Sequence, residues 1–146
     1  MDQIISFDGE FSFLSNFYPC SVNVYKSAEA AYQAQKCANL DDRKQFIPLD
    51  AGPAKRLGRR VNVRPDWDAM RVDVMRDVVH TKFSSNPDLA EKLIGTGDAE
   101  LIEGNYWHDN FFGDCVCPVC AKTPGENWLG KILMDEREAL KKGNKT

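Results

Sequence analysis

The segment SAEAAYQAQKCAN, residues 27–39, constrains the fold more than any other stretch. Ala, Gln and Lys are good helix formers, and Ser27 stands where a hydroxyl caps the free N–H groups of a first helical turn. The spacing predicts a helix that begins near Ser27 and runs to about residue 39. One side of it carries Ala28, Ala31, Cys37 and Ala38, small side chains fit for close packing. Along a neighbouring face run Glu29, Gln33 and Lys36, separated by four and then three residues, so that they line up on an α-helix. On pattern alone this face is solvated, and its Glu and Lys serve the helix. It would take other evidence to turn a carboxylate, an amide and an amine into a site.

The remaining elements are coarser. Residues 4–7, 11–14 and 22–25 are short aromatic or β-branched runs punctuated by Asp8-Gly9 and Pro19, and they predict short strands. Helices are predicted after Asp41, after Gly52 with Pro53 at the first helical position, and from about Pro65, where Trp67, Met70, Val74 and Val78 recur at helical spacing. Asn86-Pro87 opens a further helix carrying Leu89, Leu93 and Ile94, ended by Gly95 or Gly97. AELIEG reads as a strand. A last helix is predicted from about Gly125 toward Lys142, with Trp128, Leu129, Ile132, Leu133 and Leu140 on its apolar face and a frayed GNKT after it. The expectation is an α+β fold: a single compact, mainly helical domain over residues 1–146, core about 7–138, with a few short N-terminal and central strands.

Composition narrows the function. A chain of 146 residues with 42% hydrophobic content can bury a core. No run is long and apolar enough to span a bilayer, and the acidic MDQIISFDGE lacks the basic and apolar regions of a signal peptide, so a cytoplasmic location is expected. The net charge is -3, with Lys and Arg dispersed, which argues against tracking a phosphate backbone. Five cysteines fit poorly with a disulfide framework. Three of them crowd into CVCPVC, as Cys115, Cys117 and Cys120. Zinc commonly takes two separated pairs, and no second pair exists. Cys20, Cys37 or His108 could complete a site, but no spacing rule chooses among them. Structural thiols and no metal are the expectation, with zinc the lesser alternative. No Gly-rich phosphate loop of the usual kinds is present, and no cofactor is expected.

Two loops carry further candidates. In SNFYP, Asn16 can present its amide to a ligand and Phe17 can stack on a base, or the aromatics plug the core. In EGNYWHDNFFGD, Asp109 and Asp114 lie among Tyr106, Trp107, Phe111 and Phe112. Apolar surroundings raise carboxyl pKa values and suit acid/base work; alternatively these acids bind loop backbone.

Taken in order, SNFYP, SAEAAYQAQK, LGRRV, RPDWDAMRVDVM, TGDAELIEG, DNFFGD and GENWLGKILMDERE resemble the NADAR family, which includes the bacterial YbiA-like N-glycosidases. The resemblance covers residues from about 7 to 138. It implies hydrolysis of an N-glycosidic bond to ribose, in one of two substrate classes: ADP-ribose attached to guanine, including guanine within single-stranded nucleic acid, or a ribosylamino-pyrimidine phosphate intermediate of riboflavin biosynthesis. It implies catalytic roles for Glu29, Lys36 and Asp109. Asn16, Phe17, Gln33, Arg59, Trp67, Phe112 and Asp114 are the corresponding substrate-binding candidates. The family usually has Trp-Gly where this chain has Phe112-Gly113, so any hydrogen bond from an indole is lost here. A non-catalytic module that binds ADP-ribose or another nucleotide is the rival from a different class. No obligate protein partner is implied.

Overall fold

The computed structural model describes residues 2–143; Met1 and residues 144–146, most of the GNKT tail, lie outside the described residues. The elements are β1 (Gln3–Ile4), a 3-10 turn at Gly9–Leu14, β2 (Pro19–Val22), β3 (Tyr25–Ser27), α1 (Ala28–Gln35), α2 (Leu40–Arg43), a 3-10 turn at Lys44–Phe46 and α3 (Ala51–Leu57). There follow α4 (Trp67–Ser85), α5 (Pro87–Gly95), β4 (Glu100–Leu101), β5 (Gly104–Asn105), β6 (Asp114–Cys115) and α6 (Trp128–Gly143). The architecture is mainly helical α+β, as expected. β1 pairs with β4 and β5 with β6, both parallel, while β2 and β3 form an antiparallel hairpin. Among the described residues no helix is long and apolar enough to cross a membrane.

The chain divides into two compact units. One is Asn16–Pro87; the other joins the segment up to Ser15 with the segment from Asp88 onward. The first is built around α1. Its Ser27 hydroxyl accepts a hydrogen bond from the Ala30 amide at 3.1 Å, as an N-cap should. Every residue from Ala28 to Ala34 is buried. Methyl-sized side chains allow β3, α3, α4 and the Lys44–Phe46 turn all to pack on this one helix. Ala30 and Ala34 are wholly enclosed, so a larger side chain at either would overpack the unit at a cost of about 1–3 kcal/mol.

In the second unit α6 lies on β4, and Leu89, Leu93, Leu101, Leu129, Ile132 and Leu133 are buried. Two residues of GENWLG fix that packing. Asn127 donates from Nδ2 to the Leu101 carbonyl at 2.9 Å and accepts from the Glu103 amide at 3.0 Å. Gly130 sits so close that a Cβ there would stand 2.0 Å from the Leu101 carbonyl oxygen.

Several expectations need correction. Residues 11–14 form a 3-10 turn, with Phe13 and Leu14 buried, rather than a strand. Residues 22–25 are not one strand but the tip of a hairpin: Val22 pairs with Tyr25 across Asn23, whose φ is 57°. Such a left-handed residue is tolerated best by Gly, Asn or Asp. Pro53 is the third residue of α3, which starts at Ala51 after Asp50. The first helix stops at Gln35, and the last begins at Trp128, three residues after Gly125.

Candidate functional site

The polar face of α1 is not solvated. Glu29 is 8% exposed and Gln33 9%. Burying polar groups costs free energy unless they are bonded, and a helix under no other demand would carry apolar residues there. The Glu29 amide donates to the Asn16 carbonyl at 2.9 Å, which ties the SNFYP turn to the first turn of α1. Asn16 Nδ2 in turn reaches Met75 Sδ at 3.4 Å. At the other end Lys36 Nζ donates to the Gly58 carbonyl at 2.9 Å. Gln33 lies over the same glycine. Its Oε1 is buried and has no hydrogen-bond partner among the described residues.

The LGRRV segment is thereby fastened to the C-terminal end of α1. The Arg64 amide donates to the Lys36 carbonyl and the Ala38 amide to Asn62, while Cys37 bridges to Val63. Arg59, directly after Gly58, is exposed, as is Arg60. Lys55, on α3, lies 5.6 Å from the centroid of the half-exposed Phe17 ring, within cation–π range. Trp67 opens α4 and is buried against Tyr32 of α1, with ring centroids 5.1 Å apart. Glu29, Gln33, Lys36, Asn16, Phe17, Arg59 and Trp67 all belong to the Asn16–Pro87 unit. Tyr32, Lys55 and Gly58 join them without having been foreseen; only the glycine in LGRRV gave any signal. Burial pushes the Cys37 thiol up, which suits packing rather than nucleophilic chemistry. A groove of about 240 Å³ in this unit is lined by residues such as Ala31, Gln35, Val74 and Val78, and its lining contains none of Glu29, Gln33 and Lys36.

Asp109, Phe112 and Asp114 belong to the other unit. Asp109 Oδ1 accepts from the Phe111 amide at 3.1 Å and the Phe112 amide at 3.0 Å. Asp114 Oδ1 accepts from the Gly125 amide at 2.9 Å. Both acids thus bind loop backbone through Oδ1. Phe112 packs edge-on against Phe111 at 4.8 Å. The organiser of this loop is Asn105, 1% exposed. It accepts from the amides of Trp107 and Asp109 and donates to the Asp109 carbonyl at 2.8 Å. Beside it, His108 is grouped with Cys115, Cys117 and Cys120. The Cys120 backbone N–H, donating to Cys117 Sγ, is the main influence holding the Cys117 thiol below the usual cysteine range.

Comparison with known proteins gives concordant results. Residues 6–141 match the NADAR domain. A riboflavin biosynthesis protein of Vibrio vulnificus is 41% identical over 96% of this chain, and the chain spans 39% of that protein's length. An N-glycosidase of Nostoc punctiforme is 37% identical over 87% of this chain and 84% of its own length. The NMR structure of the E. coli protein YbiA superposes with a TM-score of 0.82 at 27% identity, covering 97% of this chain and 85% of that one.

Proposed function

Because this chain belongs to the NADAR family, we propose that it is an N-glycosidase that hydrolyses the bond between a ribose carbon and a base-like nitrogen. The observation that carries the reading is the burial of Glu29 and Gln33 on an otherwise alanine-packed helix. Two buried polar side chains, with the half-buried Lys36 following at the C-cap, weaken packing and make sense as groups that meet a ligand. N-glycosidases among relatives of comparable length point the same way.

In the reaction the C1′–N bond breaks, a water oxygen bonds to C1′ and a proton reaches the departing nitrogen. Positive charge grows on the anomeric carbon as the bond stretches, and a carboxylate beside it lowers the barrier. Glu29 takes that role. The family resemblance also marks Asp109 as a catalytic carboxylate, and its Oδ1 accepts from two loop amides. Lys36 has two options: it balances the charge of Glu29, or its neutral amine adds to C1′ of the ring-opened iminium form of a ribosylamine, passes a proton to the departing amine as the C1′–N bond breaks, and leaves a Schiff base that water hydrolyses. Gln33, Asn16, Phe17 and Trp67, all of the Asn16–Pro87 unit, contact base and sugar, and the family resemblance gives Phe112 and Asp114 a substrate-binding role. Arg59 binds phosphate, for which a guanidinium fork is well suited, and Lys55, Arg56 and Arg60 add positive charge along the same stretch. Residues 6–141 act as one functional domain in this reading, as their continuous family match suggests, and the cytoplasm is the expected setting.

The substrate is a small nucleotide-type molecule. The two classes to separate are ADP-ribose on guanine and a ribosylamino-pyrimidine phosphate. Incubating the protein with ADP-ribosyl-guanosine and with the pyrimidine compound, and following products by mass spectrometry, tests the reading. Release of a ribose species from either one is expected. Tight binding of ADP-ribose without release from either compound would show a binding module instead.

A further inference from the structure

We propose that His108, Cys115, Cys117 and Cys120 form a structural zinc site. Their candidate ligand atoms all lie within 4.8 Å of one another. His108 Nδ1 stands 3.3 Å from Cys120 Sγ, 3.4 Å from Cys117 Sγ and 3.9 Å from Cys115 Sγ. A tetrahedral zinc ion with Zn–S of about 2.3 Å and Zn–N of about 2.0–2.1 Å imposes N···S edges of about 3.6 Å. The three distances bracket that edge. All three thiols are free of disulfide, and three sulfurs with one imidazole are a soft donor set that selects zinc over magnesium or calcium.

The surrounding chain is built to bring these four groups together. His108 has φ 67°, a left-handed conformation uncommon outside glycine. It is held there because Asn105 bonds the backbone on both sides, at Trp107 and Asp109. The same asparagine positions Cys115, which pairs with it across β5 and β6, and the Val116 amide donates to the Asn105 carbonyl at 2.7 Å. Cys117 and Cys120 follow on a C-x-x-C turn, where the Cys120 amide donates to Cys117 Sγ at 3.4 Å. One buried residue therefore aligns two ligands, and a tight turn supplies the other two.

Four protein donors leave no open coordination position, so the ion is a clip rather than a Lewis acid. It fastens residues 115–120 to the turn that carries Asp109. On binding, the three thiols lose their protons to solvent and the imidazole coordinates as the neutral base through Nδ1. All four residues belong to the unit that includes the segment from Asp88 onward, and the test does not depend on the glycosidase reading.

The test is metal analysis of the full chain purified without chelator, together with the absorption spectrum after replacement by cobalt(II). About one zinc per chain is expected, and a cobalt form with intense thiolate-to-metal absorption and the strong visible bands of a four-coordinate ion. Cys117→Ser and His108→Ala should each lower zinc content at least about tenfold, while His108→Cys, which keeps four donors, should retain it. If the loss variants fail to fold, the wild-type cobalt spectrum and His108→Cys still decide. Zinc well below stoichiometric with only a weak six-coordinate cobalt spectrum overturns the proposal. So does a disulfide between Cys117 and Cys120 in protein purified with zinc present.

Discussion

Gly58→Ala tests whether the α1 face is a tuned arrangement. The backbone at Gly58 has φ -57° and ψ -20°, a conformation any residue adopts, so alanine brings no backbone strain. The conflict is with one side chain: the new Cβ would stand 2.0 Å from Gln33 Oε1, 2.6 Å from Cδ and 3.2 Å from Cγ. Ordinary carbon contacts sit at about 3.5–4.0 Å, so the amide must retreat by roughly an ångström or more. Gln33 is long enough to rotate away, which keeps the stability change within about 1 kcal/mol, at the mild end of overpacking. The bond that Lys36 Nζ donates to the Gly58 carbonyl survives. What is lost is the direction of the Gln33 amide. A neutral hydrogen bond contributes about 0.5–1.5 kcal/mol, so kcat/KM should fall about tenfold at most. The assay is product release by the wild type, Gly58→Ala, Gln33→Ala and the double variant, with thermal melts of each. Gly58→Ala should add nothing once Gln33 is alanine. A full-rate single variant, or an effect that adds undiminished in the double variant, refutes the argument.

Other residues give independent checks. Burial pushes the Lys82 ammonium down to about 8. Because the unfolded chain keeps that proton up to about 10.5, it binds more protons than the folded chain between those values, and this group's contribution makes stability rise with pH there by roughly 3 kcal/mol. Lys82→Met should therefore be more stable than wild type at pH 7, with the gap narrowing toward pH 10, as read by urea denaturation. Gly130→Ala drives a methyl into the Leu101 carbonyl, backbone that cannot swing aside, and should cost about 2–3 kcal/mol, a melting temperature lower by roughly 5–10 °C. Gly95→Ala, with open space around it, should leave the melt unchanged or slightly raised. Borohydride reduction during turnover should trap substrate on Lys36 if the Schiff-base route operates, and unmodified Lys36 in the peptide map assigns the lysine to charge balance.

The sequence was most readable where local chemistry and packing agree. Ser27 before an alanine-rich run announced α1, and the spacing of Trp67, Val74 and Val78 announced α4, because both the cap and the buried stripe are set within a few residues. The misreadings have a common cause. Phe13 and Leu14 bury equally well from a 3-10 turn or a strand, so their apolar character could not separate the two. Val22 and Tyr25 look like one β-branched and aromatic run, and only Asn23 hinted that the chain reverses between them. The buried state of Glu29 and Gln33 was invisible to spacing, since it depends on Gly58 and the SNFYP turn arriving from elsewhere. The family resemblance, not periodicity, marked that face. CVCPVC failed to indicate its fourth partner for the same reason: His108 is brought to the thiols by Asn105, a polar residue in an unremarkable position whose hydrogen bonds only the folded chain displays.

The carboxylate of Glu29 is the group on which the proposed glycosidase chemistry depends most. Glu29→Gln preserves shape and the α1 fold but removes the negative charge that the proposed mechanism sets beside the developing cation. With circular dichroism and melting matched to wild type, hydrolysis of the accepted ribosyl substrate should fall by at least about a hundredfold, the scale of a lost charge-stabilising or acid–base group. Hydrolysis at the wild-type rate by folded Glu29→Gln would contradict the catalytic assignment of this helix face.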